Sequence, residues 1–162
     1  MAPLSEVSNR EYRALAEFRY QIRRFLRFSE EAARLAGVEP QQHQLLLAVK
    51  GLPDGARGTI SEIAERLQIQ HHSTVELVDR LVKRGYVQRR RDGADRRQVL
   101  LEVTAKGEKI LRILAVHHED ELRTQGPALV ASLKRMMAAV RRRPIEKAAS
   151  PARRKAGKAA AR

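Results

Sequence analysis

Apolar residues return every three or four positions over most of this chain, which is the period of amphipathic helices, and the rhythm changes to that of strands only near residues 86–103. Tyr12, Leu15, Phe18, Ile22, Phe25, Leu26, Ser29, Ala32, Ala33 and Ala36 form one such stripe, so the spacing predicts a helix from Asn9 to Ala36 with that face buried. Arg13, Arg19, Arg23, Arg24 and Arg27 fall on its solvent side. Gly37 closes this helix, and Pro40 opens a second one that runs to about Gly51 with Leu45, Leu46, Leu47 and Val49 turned inward. Leu52 to Gly58 is rich in turn formers and reads as a loop.

The stretch from Thr59 to Thr104 predicts a short strand, two helices joined by a tight turn, and a hairpin. The first of these helices is Ser61 to Leu67, with Ser61 suited to cap it and Ile60, Ile63, Ala64 and Leu67 on one face. After the turn Gln68-Ile69-Gln70, a helix from His71 to Arg84 buries Thr74, Leu77, Val78, Leu81 and Val82 and stops at Gly85. His71, His72, Ser73, Val75, Glu76 and Arg80 are left outside. Strands Tyr86 to Arg90 and Gln98 to Val103 flank the loop Arg91 to Arg97.

Five arginines crowd positions 89 to 97 against Asp92 and Asp95, more charge of one sign than solvation of a loop requires. The fold class expected is therefore mainly α with a small β-hairpin wing: a winged helix-turn-helix plus a helical dimerisation region. Such a module docks on duplex DNA, with the start of the second helix reaching base edges in the major groove. The expected DNA contacts are His71, His72, Ser73, Val75, Glu76 and Arg80 from that helix, and Arg89, Arg91, Arg96 and Arg97 from the wing. Arg96 is the expected tip residue in the minor groove, with Asp92 and Asp95 supporting the loop.

Beyond the wing, Thr104 is placed to cap a helix ending near Thr124, Gly126-Pro127 reads as a break, and a last helix runs from Pro127 to about Arg142. These helices carry more apolar surface than a small lobe can cover, so a second copy is the expected partner. The division that follows is 1–8 as a disordered N-terminus, 9–36 and 104–142 as the dimerisation region, 37–103 as the DNA-binding lobe, and 143–162 as a disordered basic tail.

Composition sharpens this picture. Charged residues make up 32% of the 162 and aromatic ones only 4%, a lean core that again calls for burial against a partner. The formal net charge is +14, and residues 141–162 alone hold nine Lys or Arg and one Glu, so a polyanion is the expected partner class. The absence of Cys excludes disulfides and thiolate metal sites. No run of about 18 apolar residues marks a membrane span, and Met-Ala-Pro-Leu-Ser-Glu lacks the features of a signal peptide, so the expected address is the cytoplasm, on the bacterial nucleoid. His71-His72 and His117-His118 are neighbours about 100° apart on a helix and chelate poorly. No metal, cofactor or enzymatic activity is expected.

Ile63-Ala64-Glu65-Arg66-Leu67, Leu77-Val78-Asp79-Arg80-Leu81, Lys83-Arg84-Gly85-Tyr86-Val87, Asp95-Arg96-Arg97 and Val103-Thr104-Ala105-Lys106-Gly107 together resemble the MarR family of bacterial transcriptional regulators. With compatible flanking helices the resemblance covers roughly residues 9 to 141. It implies a dimeric repressor, less often an activator, whose DNA affinity changes when a small molecule binds between the dimerisation helices and the DNA-binding lobe. Gln70, His71 and Glu76 depart from the family's usual pattern, so the operator does not transfer from relatives. All three Phe and two of the three Tyr lie between Tyr12 and Phe28, as a dimer core, as the wall of a pocket for an aromatic or acyl ligand, or as both. Phe18, Ile22, Phe25, His43 and Leu47 are the candidate pocket residues, and His43 reads as a core histidine or a ligand contact. The rival to a ligand-responsive regulator is a nucleoid-associated architectural protein of low sequence specificity.

Overall fold

A computed structural model describes residues 7–91 and 98–140. In chain order it contains α1 (Asn9–Leu35), α2 (Pro40–Lys50), α3 (Ile60–Leu67), α4 (His71–Lys83), β1 (Val87–Arg91), β2 (Val99–Val103) and α5 (Ala105–Val140). This is the mainly helical, winged helix-turn-helix architecture expected from the periodicity.

The helix starts follow from their caps. Ser8, grouped above with a disordered terminus, instead begins α1 with a capping box: its Oγ accepts from the Glu11 N–H, and the Glu11 carboxylate accepts from the Ser8 N–H at 2.7 Å. Pro40 sits at the start of α2, where its missing N–H costs nothing. Thr59, not Ser61, caps α3, its Oγ1 accepting from the Glu62 N–H at 3.2 Å. Because Thr59 serves as that cap, the expected short strand is not formed, and none precedes α3 among the described residues. The Gly58 carbonyl merely accepts one bond from the Leu101 N–H at 2.8 Å, which tethers the loop to the hairpin.

The core lies where α2, α3 and α4 meet the hairpin and the middle of α5. Leu45, Leu46, Ile63, Val78, Leu81 and Leu114 are fully enclosed there, joined by Ala33 at the end of α1. α4 buries Thr74, Leu77, Val78 and Leu81 as its spacing predicts, and Gly85 follows at φ +71°, the left-handed turn that ends the helix. The hairpin is antiparallel, with Val87 opposite Val103 and Arg91 opposite Val99. Its base is sewn to α5: Thr104 donates its N–H to the Tyr86 carbonyl, its Oγ1 donates to the Gly85 carbonyl at 2.7 Å, and the same Oγ1 accepts from the Gly107 N–H.

Three further expectations change. The break foreseen at Gly126-Pro127 is absent, and α5 runs through Pro127 as one 36-residue helix. Proline removes one i→i−4 bond and leaves the Arg123 carbonyl without its intrahelical donor. Packing against α1 continues beyond that point, however, and Ser132 on the far side is fully buried. Leu47, expected inward, is 56% exposed, since three consecutive leucines spaced 100° apart cannot all face one core. The stripe of α1 is buried at Ala32 and Ala33, whereas Tyr12, Leu15 and Leu26 stay exposed within a single chain.

Candidate nucleic-acid interface and ligand cavity

The outer surface of α4 is built from the residues that the inward stripe leaves over. His71, His72, Glu76 and Arg80 are exposed and Ser73 and Val75 half-buried, as the helical period requires. Gln70 begins the helix without a side-chain cap, so the first N–H groups of α4 are uncovered by it. Glu76 has no ion pair with any described residue. Arg80 also borders a groove with Glu30, Glu39 and Gln42, so it reaches towards the α1–α2 corner.

The wing arginines divide into tied and untied. Arg89 pairs with Asp79 of α4 at 2.6 Å, which locks the root of β1 to the helix it follows. Arg90 pairs with Glu102 across the hairpin at 2.6 Å. Arg91, at the end of β1, is exposed. Of the residues expected to contact DNA, Arg89 therefore also has a positioning role that charge counting could not reveal. Arg96, Arg97, Asp92 and Asp95 lie outside the described residues, as does the basic segment 141–162.

Behind this surface the lobe is braced. The Arg84 guanidinium donates to the Gly37 carbonyl at 2.8 Å and to Gln42 Oε1 at 3.0 Å. Arg84 and Lys106 lie over the Tyr86 ring, 5.0 and 4.8 Å from its centroid, so Arg84 ties the α1–α2 corner to this ring and Lys106 brings the start of α5 to it.

A cavity of about 640 Å3 opens between α1, α2 and α5. Phe25, Leu47, Leu111 and Ala115 give it apolar walls, His43 and His118 its inner polar groups, and Lys50, Glu108 and Arg112 its charged rim. Three of the five candidate pocket residues meet there, Phe25, His43 and Leu47; Phe18 and Ile22 are not in its lining. His118, Lys50, Glu108, Leu111, Arg112 and Ala115 were missed, since no periodicity pairs α2 with a helix some sixty residues later.

The two histidines differ in how they are held. His118 Nδ1 lies 2.6 Å from the Leu114 carbonyl, which can only accept, so this nitrogen carries the proton. Its Nε2 then accepts from the Ser29 hydroxyl at 2.9 Å. His43 is 5% exposed, its ring centroid is 5.3 Å from that of His118, and no described residue hydrogen-bonds it. Burial, and then the neighbouring His118, holds its pKa below the ordinary imidazole value, so the ring is neutral at neutral pH. On the rim Lys50 pairs with Glu108, bridging α2 and α5, and this cation keeps the Glu108 carboxyl below the usual range.

The MarR family's sequence model matches residues 36–98, the span from the end of α1 into the wing. That match takes in the DNA-binding lobe and less than half of the chain. Among curated relatives, the uncharacterised HTH-type transcriptional regulator YsmB of Bacillus subtilis is 32% identical over 40% of this chain and 44% of its own length. YfiV of the same organism, named likewise, is 40% identical over 33% of each. The chain thus spans less than half the length of either relative. Among solved structures, the MarR family transcription regulator SP03579 superposes with a TM-score of 0.66 at 21% identity, over 80% of this chain and 87% of that one. A mutant of Staphylococcus aureus MepR bound to an oligodeoxyribonucleotide gives 0.57 at 19% identity, over 83% and 99%. CouR from Rhodococcus jostii bound to p-coumaroyl-CoA gives 0.56 at 20%, over 72% and 82%. At these identities the likeness is one of fold. No helix among the described residues is long and apolar enough to cross a membrane.

Proposed function

We propose that this chain is a transcriptional regulator of the MarR family, acting as a repressor, that binds a pseudo-palindromic operator as a homodimer and is released by a small molecule. The observation that carries the reading is the pairing of an exposed α4 start, His71, His72 and Glu76, with an arginine-rich wing fixed to the same helix through Asp79 and Arg89. That arrangement suits insertion of α4 in the major groove with the wing along the flanking minor groove. The MepR structure with an oligodeoxyribonucleotide supports this use of the fold.

A second copy is the partner of choice for the faces that α1 and α5 leave uncovered. Tyr12, Leu15 and Leu26 on one helix and Val130, Leu133 and Met137 on the other are each more than two-fifths exposed. Residues 9–36 and 104–142 serve as the dimerisation region on this reading, with 37–103 as the DNA-binding lobe. The cavity between α1, α2 and α5 is the effector site, and CouR, solved bound to p-coumaroyl-CoA, supports a small-molecule ligand for this fold. A ligand that favours the DNA-free state by only about 1.4–2.8 kcal/mol lowers operator affinity 10- to 100-fold.

Selection of bound duplexes from a random pool tests the proposal. A regulator enriches two half-sites about 10–10.5 base pairs apart and binds them at least about a thousandfold tighter than random duplex. Preference below tenfold supports instead the architectural reading, in which the basic segment 141–162 coats DNA indiscriminately. Arg96→Ala should weaken the selected site by about 1–3 kcal/mol, mostly through its A·T-rich flanks.

A further inference from the structure

Unmatched positive charge collects at two ends of this molecule. One is the surface of α4 and the wing; the other is where α1 begins and α5 finishes. There a groove of about 480 Å3 opens between the two helices, lined by Arg10, Arg13 and Glu17 of α1 and by Arg135, Ala138 and Ala139 of α5. All three arginines are exposed, and none of their guanidinium groups has an ion pair or hydrogen bond with a described residue. Glu17 is the single carboxylate of the lining, and its Oε1 accepts from Gln21 Nε2 at 2.8 Å. Glu11 beside it is engaged by the Ser8 cap. Further along the same helices arginines are matched by acids: Arg27 with Glu31, Arg34 with Glu30, and Arg123 with Glu119 and Asp120. From Pro127 to Val140, by contrast, α5 carries Lys134 and Arg135 and no acid, and the sequence continues with Arg141-Arg142-Arg143.

This end lies far from the reading head. Arg135 is about 45 Å along α5 from its start at Ala105. A duplex seated on α4 and the wing cannot also enter the groove, because DNA with a persistence length of about 50 nm does not turn back over such a distance without a large bending cost. The proposed homodimer leaves the groove open as well. At about 100° per residue, Arg10 and Arg13 stand about 100° or more around α1 from the exposed Tyr12 and Leu15. Arg135 stands about 140° or more around α5 from the exposed Val130, Leu133 and Met137. Guanidinium groups bind phosphate oxygens through paired hydrogen bonds, and arginines on both sides of a groove suit a phosphate backbone. A chain already held on DNA meets further duplex at high local concentration, so a weak second grip suffices.

We propose that the groove of Arg10, Arg13 and Arg135 grips the backbone of a second DNA duplex, so that the protein bridges two DNA segments, one at the wing and one at the far end of the long helices. Contacts to phosphate alone make this second grip indifferent to sequence. The inference goes beyond the operator reading and rests only on its premise that α4 and the wing hold a duplex.

A bead assay on the full chain tests it. The duplex most enriched in the selection experiment is immobilised, protein is added, and capture of a fluorescent random duplex is followed as salt rises. Arg10→Gln, Arg13→Gln and Arg135→Gln combined should lower capture at least about tenfold and reduce its logarithmic salt slope by about 2–3, as expected for three lost phosphate contacts. Affinity for the immobilised duplex alone should stay within about twofold, and the three Arg→Lys changes, which keep the charge, should retain most of the capture. If the parent captures no second duplex, the proposal is overturned. Capture unchanged in the glutamine variant overturns it too, and assigns bridging to two reading heads of one dimer. Equal losses of capture and of single-duplex affinity would place these arginines on the first duplex, and capture of phosphatidylglycerol vesicles in place of the second duplex would make the partner a membrane surface; either outcome refutes it. Operator preference is read separately in the selection, so either reading can fail while the other stands.

Discussion

Gly107 is where the wing base and α5 come closest, and replacing it by alanine gives a sharp test of the packing described above. An added Cβ would fall inside contact distance of the Tyr86 carbonyl oxygen, 2.7 Å from Val103 Cγ1 and 3.2 Å from the Tyr86 carbonyl carbon. Two of these three neighbours are backbone atoms, and the Tyr86 carbonyl also accepts the Thr104 N–H at 3.0 Å, so it cannot retreat without breaking that bond. Overpacking of this kind costs about 1–3 kcal/mol, and a weakened hydrogen bond adds about 1 kcal/mol. The higher helical propensity of alanine returns about 0.5–1 kcal/mol. The net expectation is roughly 1–3.5 kcal/mol of destabilisation, a fall in Tm of at least about 2 °C and up to roughly 14 °C for a chain of this size. Gly126→Ala is the control, because its Cβ meets only Leu122 Cβ at 4.0 Å and should raise Tm slightly. Thermal melts followed by far-ultraviolet circular dichroism read both. If Gly107→Ala melts within 2 °C of the parent, or Gly126→Ala falls by as much, the close approach of α5 to the wing is refuted.

Further expectations concern the cap, the wing root and pH. Thr59→Ala should cost about 1 kcal/mol by denaturant titration and Ser61→Ala almost nothing; the reverse order would return the cap of α3 to Ser61. A double-mutant cycle of Asp79→Ala and Arg89→Ala should yield a stability coupling below about 1 kcal/mol, because both side chains are more than a third exposed, while each single change lowers operator selectivity. Selectivity equal to the parent in both single variants would remove the wing root from the mechanism. His43 has a pKa below its ordinary value of 6.5, so the unfolded chain binds the extra proton first, and stability is lost as pH falls from about 6.5 towards the folded pKa. Between pH 7.5 and 5.5 the parent should therefore lose more Tm than His43→Phe; equal losses would argue against a neutral, buried His43.

Much of this fold could be read in advance because local chemistry and burial agree. The α4 stripe of Thr74, Leu77, Val78 and Leu81, the stop at Gly85 and the hairpin arginines all reflect constraints within ten residues of sequence. Where the reading failed, a distant contact had overruled the local signal. Pro127 is a strong helix breaker, yet the surface shared by α1 and α5 extends past it. Ser61 is a better-looking cap than Thr59 only until Ile60 is counted into the helix. The cavity was half visible: Phe25, His43 and Leu47 could be proposed from composition, but His118 joins them through a hydrogen bond to Ser29 across 89 positions. That the buried His43 has no hydrogen-bond partner among the described residues is recognisable only after its neighbour's bonds are assigned.

The unbroken run of α5 has a mechanical consequence. At 1.5 Å per residue its 36 residues make a beam about 54 Å long, clamped at one end to the root of the wing by Thr104 and Gly107. A tilt of about 5° at that clamp sweeps the opposite tip through roughly 5 Å, and the reverse holds, so in the proposed homodimer a small rotation where the two copies meet would be carried to the wing as a stride longer than one base-pair step. Pro127 lies nearly two-thirds of the way along, where the missing backbone bond makes the beam most compliant and where stiffening it should alter how far such a rotation carries.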